Sequence, residues 1–220
     1  MYKTIIILIL FAFTPFAKAI DIQKLIKETE QMSQTPDRIT LVWWIPTEFW
    51  RQSLKNNPKV TAEQASHLAG LLDDYSVFVV VVTDVGPMAG LSPIDRASIV
   101  TNSEFRIEDK TIPLLENKDI SADAQNFVAM MKPVFTNMLG QFGKGMEFYI
   151  YPNHKNGKKL LDPVENGQFS YTVFGKRFDW QLPLGSCLPP RIDPKTGEEF
   201  PGNYIFNRYT GEKLVVKGKA

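Results

Sequence analysis

The sequence has little of what usually announces a chemistry. It holds one cysteine, Cys187, so no internal disulfide is available. It holds two histidines, His67 and His154, in no His-x-x-x-His or His-Glu-x-x-His arrangement. There is no Gly-x-Ser-x-Gly elbow and no phosphate-cradling glycine loop, so no cofactor is expected. The glycines at 140, 143 and 145 close a helical stretch instead of opening one. Charge of one sign is lacking too, with 25 basic against 24 acidic side chains. That balance gives no electrostatic ground for a nucleic-acid partner. Without disulfides the fold must rest on its core, and 220 residues with 44% apolar content are ample for one. An unpaired thiol in an exported chain is expected to be buried.

Long apolar runs are confined to the start. Lys3 precedes the apolar Ile5 to Phe13, and Thr14-Pro15-Phe16 breaks the run before Ala17-Lys18-Ala19. This is the layout of a secretory signal peptide over 1–19, cleaved before Ile20. The run is too short for a spanning anchor, which needs about 20 apolar residues. The expected protein is therefore periplasmic or secreted, with no integral span after cleavage.

The stretch that organises the rest is Ser76 to Thr83, with five valines, one phenylalanine and no charge. An unalternating apolar run of branched residues reads as a strand covered on both faces. Arg38 to Ile45 is a second strand, closed by Pro46, and Thr47 is read as the N-cap of a short helix through Leu54. Asp21 to Met32 and Thr61 to Asp74 have helical spacing, the latter with capping-box residues Thr61 and Gln64. Arg96–Thr101 and Glu104–Glu108 are read as a hairpin. Ala122 to Leu139 is the longest helix, kinked at Pro133, with Phe127, Met130, Met131, Val134, Phe135, Met138 and Leu139 on one apolar stripe. Glu147–Tyr151 is a strand, Asn156-Gly157 a turn, and Phe169–Phe174 with Arg177–Leu182 a hairpin around Gly175-Lys176. Elements in blocks predict an α+β fold (20–186): a mostly antiparallel sheet with helices packed on it. A small ribbon-like C-terminal hairpin occupies 187–220.

That tail carries an internal repeat. Asp193-Pro194-Lys195-Thr196-Gly197-Glu198 returns as Asn207-Arg208-Tyr209-Thr210-Gly211-Glu212. The two turns resemble the knuckles of a zinc ribbon. The four ligand positions would be Asp193, Thr196, Asn207 and Thr210, which offer no soft ligand, so no metal is expected. The alternative is two unrelated Thr-Gly-Glu turns.

Two groups are candidates for function. Trp43, Trp44 and Trp50, with Tyr204 of the tail, form a candidate surface for a protein or glycan partner; the alternative for the tryptophans is core packing. Asp84 ends the central strand, where sites form in open sheets, and Asp73, Asp74 and Glu48 are candidate neighbours in an acidic site. Trp-Trp-Ile-Pro-Thr-Glu-Phe-Trp at 43–50 and Leu-Pro-Leu-Gly-Ser-Cys-Leu-Pro-Pro at 182–190, with the signal, resemble uncharacterised secreted proteins of Gram-negative bacteria. The resemblance implies an envelope location and names no activity. The function expected is a non-enzymatic binding or interaction protein of the envelope. The alternatives are an envelope hydrolase or metal-dependent enzyme using the carboxylates near Asp84, and a structural envelope component.

Overall fold

The computed structural model describes residues 20–217, so the expected signal peptide lies outside the described residues. The first helix, α1 (Ile22–Thr29), starts at Asp21, whose carboxylate accepts the backbone N–H groups of Gln23 and Lys24. It is shorter than the apolar spacing predicts. At Glu30 the chain turns extended into β1 (Glu30–Gln34), which pairs with β2 (Arg38–Ile45). Thr35 and Asp37 tie the tight connection, their side chains bonding at 2.7 Å.

Next come α2 (Thr47–Lys55), α3 (Ala62–Gly70) and the long strand β3 (Tyr75–Val85). The capping box between Thr61 and Gln64 forms as its spacing predicts. Pro46, not Thr47, occupies the N-cap position of α2. Proline is suited to a helix entry, and Thr47 is buried in the first turn. β3 is the centre of a five-stranded antiparallel sheet. It pairs with β2 along one side, and with β4 (Leu91–Pro93) and β7 (Glu147–Pro152) along the other. Its run from Ser76 to Thr83 is buried throughout.

The Arg96–Thr101 stretch is a helix, α4, and not a hairpin strand. Asp95 decides this locally, accepting the Ser98 N–H at 2.9 Å, and Ile99 seals the turn into the core. The strand pairing expected of it goes to β5 (Ser103–Ile107) and β6 (Lys110–Ile112). The long helix α5 (Ala122–Met138) is continuous through Pro133. β8 (His154–Lys155) and β9 (Lys158–Lys159) form the hairpin over Asn156-Gly157, both with positive φ. β10 (Gly167–Val173) and β11 (Lys176–Leu182) join β5 and β6 in a second antiparallel sheet. Their turn is Phe174-Gly175, again both at positive φ, one residue before the predicted turn. The tail closes with β12 (Arg191–Ile192), β13 (Glu199–Phe200) and β14 (Val215–Val216). The fold is α+β, and no helix among the described residues is long and apolar enough to cross a membrane.

The layers follow from alternation along β2, β3 and β7. Trp43 and Phe148 point toward the helices and meet Phe135 of α5 at 5.2 and 5.4 Å between ring centroids. Trp44, Phe78 and Tyr151 point the other way. They meet Phe169, Tyr171 and Phe105 of the second sheet at 4.9, 5.0 and 4.8 Å. Helices, first sheet and second sheet thus stack in that order, with ring layers on both sides of β3. Phe78 lies at the centre of the inter-sheet layer. Phe78→Ala is expected to lower stability by about 3–5 kcal/mol through lost burial and a cavity. Met32→Ala, on exposed β1, should stay within about 0.5 kcal/mol of the parent. Urea denaturation checks both, and near-equal midpoints would show that the sheets are not tightly packed.

Candidate functional site

The three tryptophans are core residues and not a surface. Trp43, Trp44 and Trp50 are 1%, 2% and 0% exposed. Trp43 Nε1 donates to Thr29 Oγ1 at 3.1 Å, and Trp180 Nε1 of β11 donates to the Thr29 carbonyl at 3.1 Å. The end of α1 is thereby pinned to both sheets. Trp50 packs edge-on against Phe49 and Phe127. β2 lies between β1 and β3 with both faces covered, so neither of its adjacent tryptophans reaches solvent. Of the four aromatic candidates only Tyr204 stays at the surface, half-buried in the tail.

The acidic candidates are not brought together around Asp84; only Asp73 and Glu48 meet, on Arg51. Asp73 and Asp74 precede β3 and Asp84 sits near its far end; at about 3.3 Å per residue they are roughly 30 Å apart. Each carboxylate instead has a basic side chain beside it, with Arg51 shared between Asp73 and Glu48. Arg38 Nε donates to Asp84 at 2.7 Å while its guanidinium covers the Phe174 ring. Arg51 lies 3.5 Å from Asp73 and 3.9 Å from Glu48. His154 lies 3.2 Å from Asp74. Among the described residues no group of three or more His, Cys, Asp or Glu is placed to hold a metal ion. An open cleft of about 250 Å³ beside β10 and β11 is lined by Glu108, Gln168, Arg177, Asp179 and Gln181. A second, of about 240 Å³, is lined by Thr35, Asp37, Arg38 and Lys176. Both are smaller and more polar than the apolar pockets of about 300 Å³ or more that hold small molecules.

Cys187 sits in a short turn, Gly185–Cys187, clamped by Glu28 of α1. The Glu28 carboxylate accepts the N–H groups of Gly185 and Ser186 at 2.8 and 2.9 Å, and the Ser186 hydroxyl as well. Burial, and then the Glu48 carboxylate, push the Cys187 thiol up to about 12. The thiol is therefore neutral at physiological pH and a poor nucleophile.

The clamped turn also anchors the tail. Gly202 N–H donates to the Gly185 carbonyl at 3.1 Å, and Asn203 Nδ2 to that of Pro183 at 3.0 Å. A side chain at Gly202 would lie 2.5 Å from the Leu188 Cβ and the Pro189 carbonyl, which explains the glycine.

Beyond this anchor the two repeats fold alike. Asp193 Oδ1 accepts from Lys195 and Thr196 N–H at 2.8 and 3.3 Å. Asn207 Oδ1 accepts from Tyr209 and Thr210 N–H at 2.9 and 3.4 Å. Gly197 and Gly211, both at φ above +70°, close the turns on the carbonyls of Asp193 and Asn207 at 2.8 Å. The turns then meet: Asn207 Nδ2 donates to Asp193 Oδ2 at 2.7 Å, with both residues buried. One hydrogen bond joins the first residues of the two knuckles, and Thr196 and Thr210 bond back to their own turns. The matching geometry argues against two unrelated turns.

Apolar side chains left outside gather in two places. On α5, Met130, Val134 and Met138 are 55%, 52% and 53% exposed. The single stripe predicted for this helix is therefore divided. Ala124, Phe127, Val128 and Phe135 face the core, and the residues one turn apart at 130, 134 and 138 face out. Hydrophobic spacing alone identified the helix but counted both faces as one. In the tail, Ile205, Phe206 and Tyr209 are exposed; the sequence reading missed them because only Tyr204 was weighed there.

Two predictions follow from the chemistry of these groups. Cys187 should react with an aromatic disulfide reagent at pH 8 about a thousandfold more slowly in the native protein than in the urea-unfolded chain. Equal rates would show an accessible, ionised thiol. In the tail, the Asn207 amide and the backbone N–H of Lys195 hold the Asp193 carboxyl below its ordinary value of 3.8. A depressed carboxyl stabilises the folded state above that value and loses its contribution as pH falls through the lowered one. Asn207→Asp reverses the sign, because two carboxylates in contact cannot both ionise without strain. The variant tail should be loosened at pH 7 and regain order toward pH 5, read from the amide resonances of Gly197 and Gly211. An ordered variant tail at pH 7 would show that the contact does not hold the knuckles together. Comparison with family models, curated proteins and solved structures finds no match, so the functional reading rests on this geometry.

Proposed function

We propose that this chain is an exported, non-enzymatic binding protein of the bacterial envelope that docks a protein partner on the outer face of α5. The observation that carries the reading is the row Met130, Val134 and Met138, flanked by exposed Ala129 and Pro133. The only charged residues of α5 are Asp123 and Lys132, and Lys132 is held at the flank by Glu147 at 2.5 Å. Scattered apolar side chains are ordinary on a surface; a contiguous uncharged face is a mark of an interaction site. Methionine suits such a face because its unbranched side chain adapts to the surface it meets. The envelope location is supported by the signal layout of residues 1–19. The enzyme alternative has less to stand on, since Asp84 and Asp74 lie at opposite ends of β3 and Asp73 and Glu48 are engaged by Arg51. A permanent structural role for the same helix face is the second reading, and the same row of residues favours it.

A photo-crosslinking residue placed at Val134, in the cells that make the protein, should give a discrete adduct that the same residue at exposed Glu63 of α3 does not give. Met130→Lys with Met138→Glu should abolish the adduct while changing stability by no more than about 1 kcal/mol. An adduct that persists in the charged variant, or none above the Glu63 control, would count against the reading. A partner that exchanges during purification marks a binding protein; one that stays through it marks a structural component.

A further inference from the structure

We infer that the tail carries a second docking surface, built from Tyr204, Phe206, Arg208, Tyr209 and Lys213, and that its occupant is a protein segment presenting a carboxylate beside apolar side chains. The inference rests on the reading of the chain as a binding protein and adds a second site with its own chemistry.

The knuckle fold puts this surface outside by construction. Its interior is filled by Asp193, Asn207, Phe200 and Leu214, all buried. The side chains left over are Ile205, Phe206 and Tyr209, which are 54%, 55% and 69% exposed. They are held in place and not merely unfolded outward. Leu214 N–H donates to the Ile205 carbonyl at 2.9 Å, and Phe206 forms a cross-strand bridge with Lys213, so those two side chains are neighbours. Arg208 lies 4.7 Å above the Tyr209 ring and donates to its hydroxyl, with Tyr204 close enough to act on the guanidinium as well. Tyrosine, phenylalanine and arginine are the side chains that dominate binding at protein interfaces, since rigid rings lose little entropy on contact.

Charge selects the occupant. Among the described residues, the other tail lysines are neutralised within the tail: Lys195 by Glu212 and Lys217 by Glu199, each at 2.5 Å. Arg208 and Lys213 make no ion pair among the described residues. Two uncompensated cations flank exposed rings, and a carboxylate is the complement that a guanidinium fork receives in two parallel hydrogen bonds. Two cations are too few for an anionic membrane, where recognition uses clusters of about four to eight. A free anion would leave Ile205 and Phe206 uncovered. A protein segment with an acid next to apolar residues satisfies both halves of the surface.

The test selects peptides from a displayed random library on the chain from residue 20 onward and measures the enriched peptides by fluorescence anisotropy. Enriched peptides should carry Asp or Glu beside apolar residues and weaken as salt rises. Binding should fall about tenfold or more in Arg208→Ala with Tyr209→Ala. The Gly197 and Gly211 amide resonances report whether the knuckles stay folded. Should that variant disturb them, Arg208→Glu with a peptide whose acid is replaced by lysine replaces it, and recovered binding supports the same contact. Peptides without acids, affinity unchanged in the variants, or binding only to phosphatidylglycerol vesicles would overturn the inference. If the α5 crosslink survives while no acidic peptide binds, this surface alone is wrong. If both fail, the binding-protein reading falls with it.

Discussion

Everything in the main body depends on covering β3 from both sides. A strand whose run from Ser76 to Thr83 is buried throughout cannot lie on an open sheet. Helices must cover one face and a second layer the other. The second sheet exists to meet that demand, and the aromatic residues are distributed accordingly. Trp43 and Phe148 serve the helix side; Trp44, Phe78 and Tyr151 serve the sheet side. Rings are effective here because each buries a large area, and edge-on contacts add to what area alone contributes. The polar ends of four rings are provided for, while Trp50 Nε1 and the Tyr149 hydroxyl are buried without a hydrogen-bond partner among the described residues. Thr29 accepts from Trp43 and Trp180 with two different oxygens, and the Tyr151 hydroxyl meets that of Tyr171 at 3.1 Å. Burial in this layer pushes both tyrosine hydroxyls well above their ordinary value, so neither ionises in any physiological range.

The central strand, its neighbour β2, the capping box at Thr61 and the Asn156-Gly157 turn were all legible because each is decided locally. Branched residues, a proline stop, a Thr–Gln pair and an Asn-Gly step do not need the rest of the chain. The errors occur where tertiary context overrides local preference. Ile99, Val100 and Thr101 favour a strand, yet the Asp95 cap and a core slot for Ile99 make a helix. Val173, Phe174 and Gly175 look like the end of a strand, yet Phe174 takes positive φ so that Val173 pairs with Lys176. The acidic site was misread for a related reason. Closeness in sequence between Asp73, Asp74 and Asp84 conceals the length of the strand that separates them. The tryptophans have two possible fates in the sequence, and the layers around β2, invisible in its own residues, decide for burial: the helices over Trp43 and Trp50, the second sheet over Trp44.

The tail shows how a knuckle can close without a metal. A ribbon turn needs an atom at its centre that accepts backbone N–H groups and a link between its two halves. In a metal ribbon the thiolate sulfurs accept the N–H groups and the ion they share links the halves. Here two side chains fill both functions. Asp193 and Asn207 each accept the N–H groups of their own turn with one oxygen, and use the remaining group to reach each other. The pair must be unlike, because two carboxylates would repel and two amides would lose the charge-assisted bond. This explains why the repeat is imperfect at this position while Thr-Gly-Glu is kept in both copies.

The same partition of labour governs where the molecule can bind. Rings carried by the sheets are consumed by the layers on either side of β3, so the sheet faces retain few apolar groups for a partner. Elements packed on one side only are different. α5 commits Phe127 and Phe135 to the core and leaves Met130, Val134 and Met138 outside. The tail fills its small interior with Asp193, Asn207 and Leu214 and leaves Ile205, Phe206 and Tyr209 outside. The two proposed contact surfaces therefore belong to the periphery of this fold, and they differ in character. The α5 face is uncharged and adaptable, whereas the tail face is ring-rich and cationic. Two surfaces of unlike chemistry suit a protein that holds two different partners, or two regions of one, and where both engage at once the second contact becomes intramolecular and raises the overall affinity through effective concentration.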